Sequence, residues 1–192
     1  FSGHLDDWPF WHQARGLLSH DRVSHYLLGY YAHLAHHQTP GTFTAYEQVP
    51  IRGYAFRRES ADYCVPAQLT IPIMTRWMLV DEERDADVLW LLRAAPRAWL
   101  TKNLSVHGAS TRWGPVDLEL QPTDDHRIIT ARITLPPDAR PTLLLRLRHP
   151  QQLKIAICNV TGAAGQEIDV DREFVRLEPE ADTVTADLTF RP

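Results

Sequence analysis

Val116-Asp117-Leu118-Glu119-Leu120 and Ile129-Thr130-Ala131-Arg132-Ile133 decide the fold, because apolar and polar residues alternate strictly in both. A period of two belongs to a β-strand with one face in a core and the other in water. Leu143-Leu144-Leu145-Arg146-Leu147-Arg148 and residues 153–160 and 183–190 continue the pattern, with Pro, Asp and Gly between the runs. Several short strands at this spacing predict an antiparallel β-sandwich. Upstream, Val88-Leu89-Trp90-Leu91-Leu92 is an apolar run short enough for strand or helix, and is read as a strand. It follows the acidic turn Asp81-Glu82-Glu83-Arg84-Asp85, so the sandwich is expected over residues 88–192.

Residues 1–87 read differently. Val23, Tyr26, Leu27, Tyr30 and Leu34 recur at three- and four-residue spacing, which predicts a helix from Asp21, capped by Ser19 or Asp21 and ended by Thr39-Pro40-Gly41. A second helix is predicted from about Pro66 to Val80, burying Ile73, Met74, Trp77 and Met78. Pro72 should kink it or mark its first turn. Residues 41–63 form a long aromatic and charged connection between the two, and such loops are more often functional than decorative. The fold class is thus α+β, with a helical segment followed by a sandwich.

Composition excludes several classes. Hydrophobic residues make up 44% and charged residues 23% of the 192, a balance that can bury a core. The net charge is −4, only Lys102 and Lys154 are lysines, and no basic stripe is visible, so no nucleic-acid partner is expected. No apolar run reaches the roughly 18 residues of a membrane helix, which predicts a soluble chain with no membrane partner. The sequence starts at Phe1 rather than methionine, which predicts that processing or fragmentation has removed the natural start. Cys64 and Cys158 lack metal-ligand spacing, and two separate buried thiols are favoured over a disulfide. No internal repeat or low-complexity tract is visible.

The connecting loop holds the candidate chemistry. Glycoside hydrolysis needs one carboxylic acid to protonate the leaving oxygen and one carboxylate to activate water or attack. Glu47, Glu59 and Asp62 are candidates, and Glu47 stands out between Phe43, Thr44 and Tyr46, since an apolar setting is what makes a carboxyl a usable acid. The alternative, favoured by residue types alone, is a structural ion-pair network with Arg52, Arg57 and Arg58. Tyr46, Tyr54, Phe56, Tyr63 and Trp99 can stack on sugar rings, although core packing is the commoner role of aromatics. His33 and His37 have a spacing that lets two imidazoles share a metal, but the glutamate of the metalloprotease motif is missing between them, and a polar helix face is favoured. No metal or cofactor is expected. No GxSxG, P-loop or dinucleotide fingerprint is present, so serine-hydrolase, kinase and dehydrogenase chemistry drops out. Asn103-Leu104-Ser105 and Asn159-Val160-Thr161 match the glycosylation sequon, a pattern that arises often by chance.

Three segments carry a resemblance: Gly41-Thr42-Phe43-Thr44-Ala45-Tyr46-Glu47, Asp62-Tyr63-Cys64-Val65-Pro66-Ala67-Gln68, and Leu91-Leu92-Arg93-Ala94-Ala95-Pro96-Arg97-Ala98-Trp99. In order and layout the chain resembles the C-terminal end of a bacterial six-hairpin, (α/α)6-toroid glycoside hydrolase of the α-L-fucosidase and α-L-rhamnosidase type, with its appended β-sandwich. The resemblance is architectural and spans nearly the whole chain. It implies an inverting hydrolase exported from the cytoplasm, and it implies that Asp62, just ahead of the last toroid helix, belongs to the apparatus that activates water. The family's Gly-Asn-Phe-Gly-Gly after that aspartate is replaced here by Tyr63-Cys64-Val65-Pro66-Ala67.

Asp62 and Glu47 are therefore the candidate catalytic carboxylates, and Tyr46, Arg52, Tyr54, Tyr63 and Gln68 the candidate sugar-binding residues. The expected partners are an oligosaccharide and the remainder of the toroid, because the sequence supplies only two or three of its helices. Alone, the chain is expected to be inactive. The competing class is a non-catalytic carbohydrate-binding or structural sandwich module, with a histidine-rich metal-binding protein as a third.

Overall fold

A computed structural model describes residues 4–6, 8–39, 41–42, 44–50, 64–84 and 86–192. The chain divides into two compact units, Phe1–Trp77 and Met78–Pro192.

Among the described residues the first unit holds three helices and a short ribbon. Strand β1 (His4–Asp6) pairs antiparallel with β2 (Gln48–Pro50), with Asp6 opposite Gln48. Helix α1 (Phe10–Ser19) follows Pro9, whose fixed φ suits a helix start, and it buries Ala14 and Leu18. The sequence reading did not include this helix. Helix α2 (Val23–His36) starts two residues later than predicted and has no side-chain cap. Asp21 instead adopts a left-handed φ of 55° in the tight link from α1, where its amide donates to the Leu18 carbonyl at 3.0 Å. The buried stripe of α2 is Val23, Tyr26, Tyr30 and His33, so an imidazole takes a place the periodicity gave to Leu27 or Leu34. The helix ends at His36, before Thr39-Pro40-Gly41, and Gly41 serves the turn beyond it with φ 86°.

Helix α3 (Val65–Leu79) runs through Pro72. Met74 and Met78 are fully buried as predicted, whereas Ile73 and Trp77 are half-buried; Ala67 and Thr70 are buried in addition.

The second unit is built on two five-stranded sheets. Strands β3 (Val80–Glu82) and β4 (Val88–Leu91) lie in one, and β5 (Leu104–Thr111), β6 (Gly114–Pro122) and β7 (Ile128–Thr134) open the other. They are followed by β8 (Thr142–Arg146), β9 (Lys154–Thr161), β10 (Ala163–Asp169), β11 (Phe174–Pro179) and β12 (Thr183–Arg191). The strand orders are β10-β11-β8-β4-β3 and β5-β6-β7-β12-β9. One core joins the inward residues of both sheets, among them Leu89, Leu143, Leu145 and Leu177 from the first and Leu118, Ile133, Leu188 and Phe190 from the second. The period-two runs of the sequence are this core: Val116, Leu118 and Leu120 point in, while Asp117, Glu119 and Gln121 point out.

One pairing departs from the antiparallel expectation, because β4 runs parallel to β8. The chain leaves β4 through the 3₁₀ turn Arg97–Thr101, builds β5, β6 and β7 in the opposite sheet, and only then returns. A connection of that length permits a parallel neighbour where a hairpin does not. The Leu91 to Trp99 segment is the corner where this departure starts. Arg93 is buried there and pairs with Asp81 at 2.6 Å and Glu83 at 3.1 Å, while Arg97 grips both Glu173 carboxylate oxygens at 2.7 and 2.8 Å.

Candidate functional site

Two tyrosines of α2 fix it against α3. Tyr26 is fully buried and its hydroxyl donates to the Met74 carbonyl at 2.5 Å; Tyr30 shares a 3.0 Å hydrogen bond with the Thr75 hydroxyl. A buried phenol has to find such a partner, because leaving its hydroxyl unpaired away from water is costly. On the other side α1 comes close enough to α2 that a Cβ at Gly29 would lie 2.0 Å from the Phe10 ring. Phe10 stacks on His33 at 4.4 Å, and His33 stacks on His37 at 4.7 Å with only 12° between planes. Nearly parallel imidazoles present their ring nitrogens side by side rather than toward one point. His33 Nδ1 also shares a 3.0 Å hydrogen bond with the Gly29 carbonyl. These histidines are packing elements of the α1–α2 interface. Among the described residues no group of three or more His, Cys, Asp or Glu side chains converges as a metal site.

Beyond His37 the chain reverses sharply. Gln38 bridges Ala45, and the Thr39 amide donates to the Thr44 carbonyl at 2.8 Å. Gln38, Ala45 and Gln48 are buried, so Tyr46 and Glu47 are held between the bridge and β2, and both are half-buried. Among the described residues the Glu47 carboxylate takes no hydrogen-bond or ion-pair partner.

Gln68 lies in the first turns of α3, where its main-chain N–H donates to the Cys64 carbonyl at 2.9 Å. Four residues on stands Pro72, which has no N–H to return to the Gln68 carbonyl. The helix therefore continues through the proline at the expense of one ladder bond, and the Gln68 main-chain oxygen is an acceptor without its usual intrahelical donor. Thr70 and Thr75 hydroxyls donate to the Pro66 and Ile71 carbonyls at 3.2 and 2.8 Å, which supports the backbone on either side.

Of the predicted site residues, Tyr46, Glu47 and Gln68 are thus placed: the first two adjoin on one reversal, and Gln68 opens α3. Arg52, Tyr54, Asp62 and Tyr63 lie outside the described residues, as do Phe56, Arg57, Arg58 and Glu59. Trp99 sits in the 3₁₀ turn of the second unit, half-buried. Both cysteines are free; Cys158 is buried in β9, but Cys64 is half-buried rather than buried. Burial, with a smaller contribution from the charge of Asp187, pushes the Cys158 thiol up to about 11. A half-buried carboxylate of this kind can exchange a proton or accept hydrogen bonds from hydroxyl groups.

No protein-family model matches the chain, and no curated protein matches it. Among solved structures, it is similar to a GH127 β-L-arabinofuranosidase from Geobacillus stearothermophilus, at 16% identity and a TM-score of 0.35. The match covers 67% of the present chain and 19% of that enzyme.

Proposed function

We propose that the chain is the C-terminal portion of a carbohydrate-active, inverting glycoside hydrolase that works outside the cytoplasm. Glu47 and Asp62 supply acid and base carboxylates, and Tyr46, Arg52, Tyr54, Tyr63 and Gln68 contact the sugar. The rest of a helical toroid, as a partner segment, completes the cleft.

One observation carries most of this proposal. Glu47 is half-buried and fixed beside Tyr46, yet among the described residues its carboxylate has no partner. A carboxylate that the fold leaves unpaired keeps its oxygens open to a substrate hydroxyl or a water. The order of elements, with Asp62 just ahead of α3, agrees with the toroid-and-sandwich resemblance.

The test is calorimetric titration of neutral oligosaccharides into the chain, beside Glu47→Gln and Asp62→Asn, which remove charge and nearly preserve shape. Binding weakened about tenfold by either variant, the effect of losing one charge-assisted hydrogen bond, supports the proposal. Binding indifferent to both, or no binding by the folded chain, removes its basis.

A further inference from the structure

The outward face of β5-β6-β7-β12-β9 carries a row of polar side chains in register: Ser105 opposes Glu119, Glu119 opposes Arg132, and Arg132 opposes Thr185. One step along, Gln121 opposes Thr130 and Thr130 opposes Asp187. A glutamate and an arginine directly opposed on antiparallel strands ordinarily close on each other. Here they do not. Among the described residues the side chains of Glu119 and Arg132 make no hydrogen bond or ion pair. Exposure alone does not account for this, because Arg176 and Glu178 pair at 2.9 Å with side chains 47% and 42% exposed. In the neighbouring row the Thr130 hydroxyl closes on Asp187 at 2.7 Å.

Between the open pair lies a hollow of about 210 Å³, lined by Glu119, Gln121, Thr130, Arg132 and Thr185. A second hollow, of about 270 Å³, reaches over Ser105 and His107 and shares Glu119 and Gln121 with the first. Together they make a trough across β5, β6, β7 and β12, three inter-strand steps or about 14 Å long. Its lining sets one carboxylate against one guanidinium; the rest is hydroxyl, amide and imidazole, with Leu104 and Leu120 at the β5 end. An anion meets Glu119 and a cation meets Arg132, so neither suits the whole trough. A ligand dense in uncharged hydroxyls suits both, since a carboxylate accepts from two neighbouring hydroxyls and a guanidinium fork donates to two oxygens.

We propose that this trough is a binding site for a short neutral oligosaccharide lying across the strands, recognised through its hydroxyls by Glu119 and Arg132 without aromatic stacking. It uses residues of the second unit only and stands apart from the hydrolase proposal.

The test is affinity electrophoresis of the whole chain in native gels containing arabinan, xylan, galactan or mixed-linkage glucan, with polygalacturonate as the acidic comparison. Glu119→Ala and Arg132→Ala probe the trough, Arg176→Ala probes a charge on the other sheet, and Glu47→Gln probes the first unit; circular dichroism verifies folding. The expected result is retardation by at least one neutral polysaccharide, about tenfold weaker in either trough variant and unchanged in Arg176→Ala. No retardation by any neutral polysaccharide overturns the proposal, as does retardation that survives both trough variants. Retardation by polygalacturonate alone, lost in Arg132→Ala, also overturns it and makes Arg132 a simple anion contact. Retardation lost only in Glu47→Gln moves sugar binding to the first unit, against the trough and in favour of the hydrolase proposal.

Discussion

Gly162 stands where the chain crosses from β9 in one sheet to β10 in the other, with φ at 81°. A Cβ built there would lie 2.1 Å from the Thr183 carbonyl oxygen and 3.2 Å from its carbon, both backbone atoms that cannot rotate aside. Gly162→Ala therefore meets two costs. The left-handed conformation costs a side chain about 1–2 kcal/mol. Relieving the overlap requires displacing the start of β12, an overpacking strain of about 1–3 kcal/mol. The sum is about 2–5 kcal/mol. Gly108 supplies an internal control, since its φ is 61° but a Cβ there meets nothing within 4 Å, so Gly108→Ala should incur only the conformational part. Urea denaturation followed by strand-sensitive circular dichroism should place the midpoint of Gly162→Ala well below that of Gly108→Ala, with slopes unchanged. Gly162→Asn should rescue little, although asparagine tolerates left-handed φ, because it too carries a Cβ. Equal midpoints for Gly162→Ala and Gly108→Ala would refute the argument from the Thr183 carbonyl.

Other changes probe the packing and the buried polar groups. Asp81→Ala leaves the Arg93 guanidinium, 7% exposed, paired with Glu83 at 3.1 Å but without its closer carboxylate, and should cost about 3–5 kcal/mol in chemical denaturation; Asp81→Leu with Arg93→Met should cost much less. Gly29→Ala should displace Phe10 from its stack on His33 and lower the thermal midpoint, whereas Gly16→Ala, in open space, should raise or preserve it. His149 accepts from the Gln151 amide and donates to the His126 carbonyl; burial is the main reason its imidazole titrates below the ordinary 6.5. Below that value the unfolded chain takes a proton that the folded chain refuses. Its contribution to stability is therefore full above 6.5 and lost as pH falls through the lower folded value, and His149→Gln should flatten that acid limb in a pH series of denaturation midpoints. Iodoacetamide at pH 8 should label native protein at Cys64 and spare Cys158, buried and with its thiol near 11; equal labelling in mass spectrometry would show β9 to be open.

The sandwich was legible because its strands each have one wet face. Val116 to Leu120 and Ile129 to Ile133 alternate without interruption and became β6 and β7. The same rule passed over β5, where a bulge between Val106 and Ala109 at Gly108 breaks the alternation, and β10, where Ala163-Ala164-Gly165 offers no contrast to read. The parallel seam between β4 and β8 could not be read locally, since it is made by chain order rather than by either strand's residues. Helix α1 carries a fair signal in Trp11, Ala14 and Leu18 behind Pro9, spread over only ten residues. At the candidate site, Glu47 was found from its neighbours in sequence. What those neighbours could not supply is the bridge from Gln38 to Ala45 that holds it. Glu119 and Arg132 read as ordinary outward positions; only register reveals that they face each other and stay apart.

The seam between β4 and β8 also orders events in folding. β5, β6 and β7 are successive neighbours joined by short turns, so they can assemble early from local contacts. β4 must wait for β8, because their pairing closes a loop of about fifty residues whose ends gain nothing until the intervening meander has taken up the slack. A chain stalled at that stage would present β4, with Leu89, Trp90 and Leu91 in succession, as an unzipped edge, the form of strand most prone to join a second molecule. Refolding yield should therefore fall with protein concentration, and the aggregates should be seeded through residues 88–91 rather than through the meander.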